Sequence, residues 1–234
     1  MTTIAANLQT VHSRIASACA AAQRHVNEVT LLPVSKTFGP EAVREAHAAG
    51  ETAFGENYIQ EAVEKQALLA DLPLTWHCIG PIQSNKTRMV AQHFDWAHTI
   101  DRLKIAQRLS EQRPLDRAPL SVCIQVNIDG GPNKSGVAPA QTLALAREIA
   151  PLPRLKLRGL MTIPEPSEDF ATQLAAHRQA RALFDSLRDA GLALDTLSMG
   201  MTGDLEAAIH AGSTMVRVGT AIFGTRPHRL TSGA

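Results

Sequence analysis

A chain of 234 residues with 44% hydrophobic and 19% charged residues has the balance of a protein that buries a core, which excludes a largely disordered chain. Its formal net charge of +1, with Lys and Arg interspersed among Asp and Glu, supplies no field for gathering nucleic acid or an anionic membrane, so any anion site must be local. Cys19, Cys78 and Cys123 are odd in number and lack CxxC spacing, a pattern that fits a reducing cytoplasm better than a disulfide framework or a metal site.

The opening residues, MTTIAANLQTVHSRIA, lack the basic head and continuous apolar stretch of a secretory signal, and no later run reaches membrane-spanning length. Within them Ile4, Leu8, Val11, Ile15 and Ala18 recur at spacings of three and four, which predicts a helix packed by one stripe against the body. Next come a strand at 29–35 and a helix at 40–49, with Gly50 as the helix stop. Further strands are predicted at 52–54, 75–79, 96–98, 120–127, 155–160, 196–199 and 215–218. Helices are predicted between them at 57–69, 84–93, 102–112, 140–149, 170–189 and 204–211.

Eight candidate strands, each separated from the next by helix-length sequence, are the signature of repeated βα units and a parallel sheet. In a chain of this size eight such units favour closure into a (β/α)8 TIM-type barrel with an extra N-terminal helix. No stretch reads as a domain linker, so a single domain is expected over 1–234 with its core at about 28–224. The loop at 163–169 ends in Ser and acids suited to starting the long helix after it, and the tail after Gly224 reads as a frayed end.

In a parallel barrel, functional groups gather where strands end and the following loops begin. Lys36 directly follows the first apolar strand run, where burial would make its amine a nucleophile toward a carbonyl compound; the plainer reading is a surface lysine at a strand end. Two glycine-bearing turns, Ser198-Met-Gly-Met-Thr-Gly-Asp204 and Arg217-Val-Gly-Thr220, follow the last two strands, where barrels recurrently bind phosphate through backbone N–H groups and helix ends. Read plainly, they are ordinary βα turns with Asp204 as a helix cap. Arg217 either snorkels outward or faces a bound partner, and facing a pyridine nitrogen it would keep that nitrogen unprotonated. Asn57 and His77 end the second and third strands as polar contacts, or as a helix cap and a half-buried structural histidine. The loop from Gly131 to Gly136 lacks the GKS/GKT order of a phosphate loop and reads as rim.

Six segments occur together: LLPVSK at 31–36, FGENY at 54–58, WHCIGPIQSNK at 76–86, RGLMTIP at 158–164, LSMGMTGDLEAAI at 197–209 and MVRVGTAIFG at 215–224. In this order they closely resemble the pyridoxal phosphate homeostasis proteins of the YggS/PROSC type, over roughly residues 4–224. The resemblance implies the barrel of the alanine racemase N-terminal domain, with pyridoxal 5′-phosphate held as an aldimine on Lys36. It also implies a phosphate end held by Ser198, Met201, Gly219 and Thr220, Arg217 at the pyridine nitrogen and Asn57 beside the ring. Two positions depart from the family pattern: Cys78, where Phe or Met is common, and Thr202, where Ser is common.

The function so implied is buffering or supply of the cofactor inside the cell, without established turnover. Transient partners would be apo-enzymes that use the cofactor, with neither nucleic acid nor membrane involved and a monomer favoured over an obligate dimer. A protonated ring nitrogen assists carbanion chemistry and an arginine opposes it. Tyr58 is the one tyrosine, and no second domain follows to supply another across a dimer. A weak amino-acid racemase is one alternative; a cofactor-free Schiff-base aldolase acting on a sugar phosphate through Lys36 is another.

Overall fold

The structure, a computed structural model, describes residues 3–131 and 134–225. Its strands are β1 (Thr30–Pro33), β2 (Ala53–Glu56), β3 (Thr75–Cys78), β4 (Trp96–Ile100), β5 (Leu120–Val126), β6 (Leu155–Thr162), β7 (Thr196–Ser198) and β8 (Met215–Val218). They pair in parallel in the order β1-β8-β7-β6-β5-β4-β3-β2, and the sheet curls until β1 and β2 meet through a bridge between Val34 and Gly55. The helices are α1 (Ile4–Ala21), α2 (Pro40–Ala48), α3 (Ile59–Leu68), α4 (Thr87–His93), α5 (Leu103–Gln112), α6 (Pro139–Ile149), α7 (Phe170–Asp189), α8 (Leu205–His210) and the single turn α9 (Thr220–Phe223). This is the (β/α)8 barrel read from the alternation, with its added N-terminal helix.

The elements follow from their sequences. Strand β5, LSVCIQV, is buried at every position, as a parallel strand flanked on both faces requires. Helix α5 turns Ile105, Ala106 and Leu109 inward and its charged residues outward, one apolar stripe on a polar helix. Helix α1 starts at Thr3, whose hydroxyl accepts from the amide of Ala6 at 3.2 Å, and buries Leu8, Val11, Ile15 and Ala18. Each of its larger apolar side chains contributes about 1.5–3 kcal/mol on burial. Polar ties aim the helix at the last two barrel turns: Asn7 Nδ2 donates to the carbonyl of Ile222 at 2.8 Å, and Arg14 reaches Glu206 and the carbonyl of Thr202.

Several boundaries moved. The helix expected from 57 begins at Ile59, so Asn57 stays outside it and Tyr58 occupies the cap position. Residues Ser84–Lys86 form a 3-10 turn ahead of α4, and β6 runs on to Thr162 just before Ile163-Pro164. Asp169 caps α7 as expected, accepting from the amide of Thr172 at 2.8 Å. Asp204 precedes α8 but does not cap it; its carboxylate instead takes the amide of Met201 at 2.6 Å and Nε2 of His177 at 3.0 Å. Those bonds outweigh burial, which would raise the carboxyl, and hold its pKa below the ordinary value. All but the first residue of the tail after Gly224, and Pro132 and Asn133 of the rim loop, lie outside the described residues. The three cysteines are free and buried. Among the described residues no helix is long and apolar enough to cross a membrane.

Candidate functional site

The barrel order sets β7, β8, β1 and β2 side by side, so the turns leaving their C-terminal ends form one continuous arc. Ser198, Met201, Gly219, Thr220, Lys36 and Asn57 all lie on that arc, at the face where barrels carry their ligands. Lys36 is half-buried in the turn that leaves β1. The residues on either side of it are fastened to β2 and α3. Ser35 Oγ donates to Oε1 of Glu56 at 2.6 Å, and Lys65 Nζ donates to the Ser35 carbonyl at 2.9 Å and to Glu56 Oε1 at 2.7 Å. The amide of Thr37 donates to Oε1 of Glu61 at 2.9 Å. Thr37 carries φ of 69°, a left-handed conformation that a β-branched residue adopts only when its surroundings impose it. Glu56 is wholly buried, and burial pushes its carboxyl pKa upward against the opposing pull of Lys65 and Ser35.

The two glycine turns are close-fitted. Gly200, at φ of 96°, leaves room for a Cβ only 2.5 Å from that of Ala208. Gly219 opens α9, half-buried, and a Cβ there would lie 3.2 Å from the carbonyl oxygen of Val34. Thr220 is exposed and Met201 half-buried, its amide held by Asp204.

Arg217 does not snorkel outward. Its side chain is buried in the barrel, where Nη1 donates to Ser198 Oγ at 2.7 Å and Nη2 to the carbonyl of Thr162 at 2.9 Å. Burial lowers its pKa to about 10, which still leaves it charged at neutral pH. Ser198 continues the path to Nδ1 of His98 at 3.1 Å, and His98 Nε2 meets Nδ1 of His77 at 2.9 Å. His77 is thus fully buried rather than half-buried, stacked on Trp96 at 5.1 Å. Burial pushes His77 down to about 3 and His98 well below the usual imidazole value, so both rings are neutral at pH 7.

The polarity of this path is determined. Arg217 has only donors, so the Ser198 oxygen accepts from it. The Ser198 proton then has one acceptor among the described residues, Nδ1 of His98. That places the proton of His98 on Nε2, where it donates to Nδ1 of His77, and leaves His77 protonated on Nε2. Bulky branched residues usually fill a barrel interior; here a polar row runs through it.

Several buried polar atoms at the C-terminal mouth have no partner among the described residues: Thr37 Oγ1, Glu56 Oε2, Asn57 Oδ1, Asn127 Oδ1 and Thr162 Oγ1. They sit in the turns after β1, β2 and β5 or at the ends of β2 and β6, and each such orphan costs about 1–3 kcal/mol. Glu56, Lys65, His98 and Thr162 were absent from the sequence reading. For two of them a signal existed: His98 shares the period-two face of Trp96, and Lys65 stands four residues from Glu61 on a helix whose inner face also carries Ile59 and Ala62.

Residues 10–227 match the alanine racemase N-terminal domain family. The chain is 60% identical over 228 residues to the pyridoxal phosphate homeostasis protein of Pseudomonas aeruginosa, covering 97% of this chain and 98% of that one. It belongs to the pyridoxal phosphate homeostasis protein family. The Escherichia coli K12 homeostasis protein is 51% identical over 231 residues, covering 97% and 99% of the two chains. Among solved structures of this kind, PipY of Synechococcus elongatus with PLP bound superposes with a TM-score of 0.79 at 41% identity, covering 90% of this chain and all of that one. An alanine racemase of Clostridium difficile shares the fold at a TM-score of 0.76 and 14% identity, and the homeostasis-type chain spans only 58% of it.

Proposed function

We propose that this chain binds pyridoxal 5′-phosphate at the C-terminal mouth of the barrel, covalently through the amine of Lys36, and holds it in the cytoplasm as a reserve for enzymes that need it. The observation that carries the reading is the arc itself: a lysine in a turn locked on both sides, glycine turns beside it, and unpaired buried polar atoms around the mouth. A polar ligand with a carbonyl, a ring and an anionic end has a use for each of them.

Bound there, the cofactor supplies an aldehyde that condenses with an amine, losing water, and a pyridine ring able to draw in electrons. Gly219 and Thr220 would meet the phosphate with backbone donors, and Met201, whose amide is given to Asp204, would join them only by releasing that bond. Ser198 joins them only by turning its hydroxyl proton from His98 to the anion. Arg217 would present N–H donors to the ring nitrogen while keeping its own proton, which disfavours a protonated ring, and Asn57 Oδ1 would gain a partner at the ring edge. A site so arranged retains the cofactor and shields it from stray amines while leaving amino-acid turnover slow. Named relatives in pyridoxal phosphate homeostasis and the PLP-bound PipY structure support this reading.

The test is an absorbance spectrum of the freshly purified protein, followed by incubation with an apo-enzyme. The wild type should be yellow and should restore the apo-enzyme's activity; Lys36→Ala should be colourless after dialysis. An unchanged visible band in Lys36→Ala would remove Lys36 from the covalent role.

A further inference from the structure

A cavity opens at the other end of the barrel, where the strands begin, with a volume of about 560 Å³. Arg24, Arg158 and Arg181 line it, together with Glu28, Asp195 and the ring of His77. None of these residues belongs to the arc around Lys36.

Each arginine is held in place yet keeps donors in reserve. Arg158 gives Nε to both oxygens of Asp195, at 2.8 and 3.0 Å, and lies 4.5 Å over the ring of Trp96. Arg24 gives Nε to Glu28 and Nη1 to the carbonyl of Ile209, while Arg181 gives Nε to Asp185 and Nη1 to the carbonyl of Gly212. In all three, Nη2 has no hydrogen bond among the described residues, so three pre-positioned guanidinium edges remain unused. The floor adds a fourth donor. His77 is 3% exposed, its Nδ1 is taken by His98, and its Nε2 has no partner among the described residues. The bond polarity that starts at Arg217 leaves the proton on that Nε2, so the buried row ends in a donor at a cavity already rich in donors. Each of the three cations has a carboxylate on its Nε, Glu28 and Asp195 in the lining and Asp185 outside it, so what the cavity offers is free donors rather than excess charge.

We infer that this cavity is a binding site for a small oxyanion-bearing molecule, a phosphate ester or a dicarboxylate, whose oxygens accept from the free guanidinium edges and from Nε2 of His77. The site shares no lining residue with the Lys36 mouth and is linked to it only through the row of Arg217, Ser198 and His98 that sets the proton on His77.

The experiment uses the full chain as purified, labelled with nitrogen-15 in histidine and arginine side chains, and titrated by NMR with inorganic phosphate and separately with succinate. The His77 signals should show a neutral ring protonated on Nε2. At least one probe should shift the His77 Nε2 and Arg158 signals saturably, and the probe preferred identifies the anion as phosphate or carboxylate. Arg158→Gln and, at a more exposed position, Arg181→Gln should each weaken that binding about tenfold, as loss of a charge-assisted bond requires. A cofactor-free preparation of Lys36→Ala should bind the probe as the wild type does, which separates this site from the mouth. The inference is overturned if neither probe gives a saturable shift at His77, or if the shift survives both arginine substitutions unchanged.

Discussion

Arg217 and Ser198 are joined inside the barrel by a hydrogen bond of 2.7 Å, and the serine hydroxyl that receives it is fully buried. The guanidinium that would face the cofactor ring is therefore held from behind, by a residue that the sequence pattern placed at the phosphate.

This arrangement leads to different expectations for two variants of the glycine and serine turns. Gly219→Val puts a branched side chain against the Val34 carbonyl, where even a single Cβ would lie at 3.2 Å, and blocks backbone approach to an anion. Affinity for pyridoxal 5′-phosphate should fall at least about tenfold, with little change for unphosphorylated pyridoxal. Ser198→Ala removes an acceptor of Arg217 and a donor to His98, so its main effect should be on stability, a loss of about 1–3 kcal/mol in urea unfolding. Equal affinities of Gly219→Val and wild type for the phosphorylated form would take the turn out of the site.

Arg217→Glu tests why the cofactor would be held without being exploited. An acidic partner favours a protonated ring, so exchange of the alanine α-proton in deuterated water should rise per bound cofactor. The carboxylate would face the carbonyl of Thr162, so lower stability is expected alongside. Exchange as slow as wild type in a fully loaded variant would show that ring-nitrogen control is not what keeps the site quiet.

Acid should destabilise the fold through the buried histidine pair. His77 titrates near 6.5 when exposed and about 3 in the fold, and His98 is depressed likewise, so unfolding takes up protons throughout this window. Their contribution is complete above about pH 6.5 and is lost as pH falls toward 3, at up to about 1.4 kcal/mol per pH unit for each ring. Urea unfolding from pH 6.5 to 4.5 should show this slope, and His98→Gln should reduce it by about one proton. A flat profile in the wild type would mean that the rings are not neutral in the fold.

The ion pair under the lysine turn should be costly to break from one side. Lys65→Met leaves the Glu56 carboxylate buried without its cation and should cost about 3–5 kcal/mol, whereas Lys65→Met combined with Glu56→Gln should recover part of the loss. Denaturant titrations of both variants decide the point, and a double variant no more stable than the single one would contradict the charge argument.

Much of the fold was legible because the alternation of short apolar runs and amphipathic helices is a local pattern. Strand β5 is a mostly apolar run interrupted by Ser121 and Gln125, and the α1 stripe from Leu8 to Ala18 lies on one buried face. Of the candidate site, the turn positions were legible, since Lys36 lies in the turn after β1 and Gly219 and Thr220 follow β8 directly. What side chains do across the barrel was not legible. Nothing near Ser198 in sequence announces His98, a hundred residues away, or that Asp204 would turn from its helix to the amide of Met201. Asn57 read as a cap because its neighbours suit a helix start, but the helix begins two residues later.

The barrel is stitched rather than welded along one seam. At six of its eight strand junctions neighbouring strands share two or more paired positions; β7 and β8 share one, Ser198 with Met215, and β1 and β2 meet in a single bridge at Val34 and Gly55. Beside the backbone bond from Ser35 to the Gly55 carbonyl, that seam is drawn together by the side-chain stitch of Ser35, Glu56 and Lys65, in the turn that carries Lys36. Here the closure of the ring leans on amino-acid identity, and Lys36, the residue proposed to hold the cofactor, follows Ser35 in that seam.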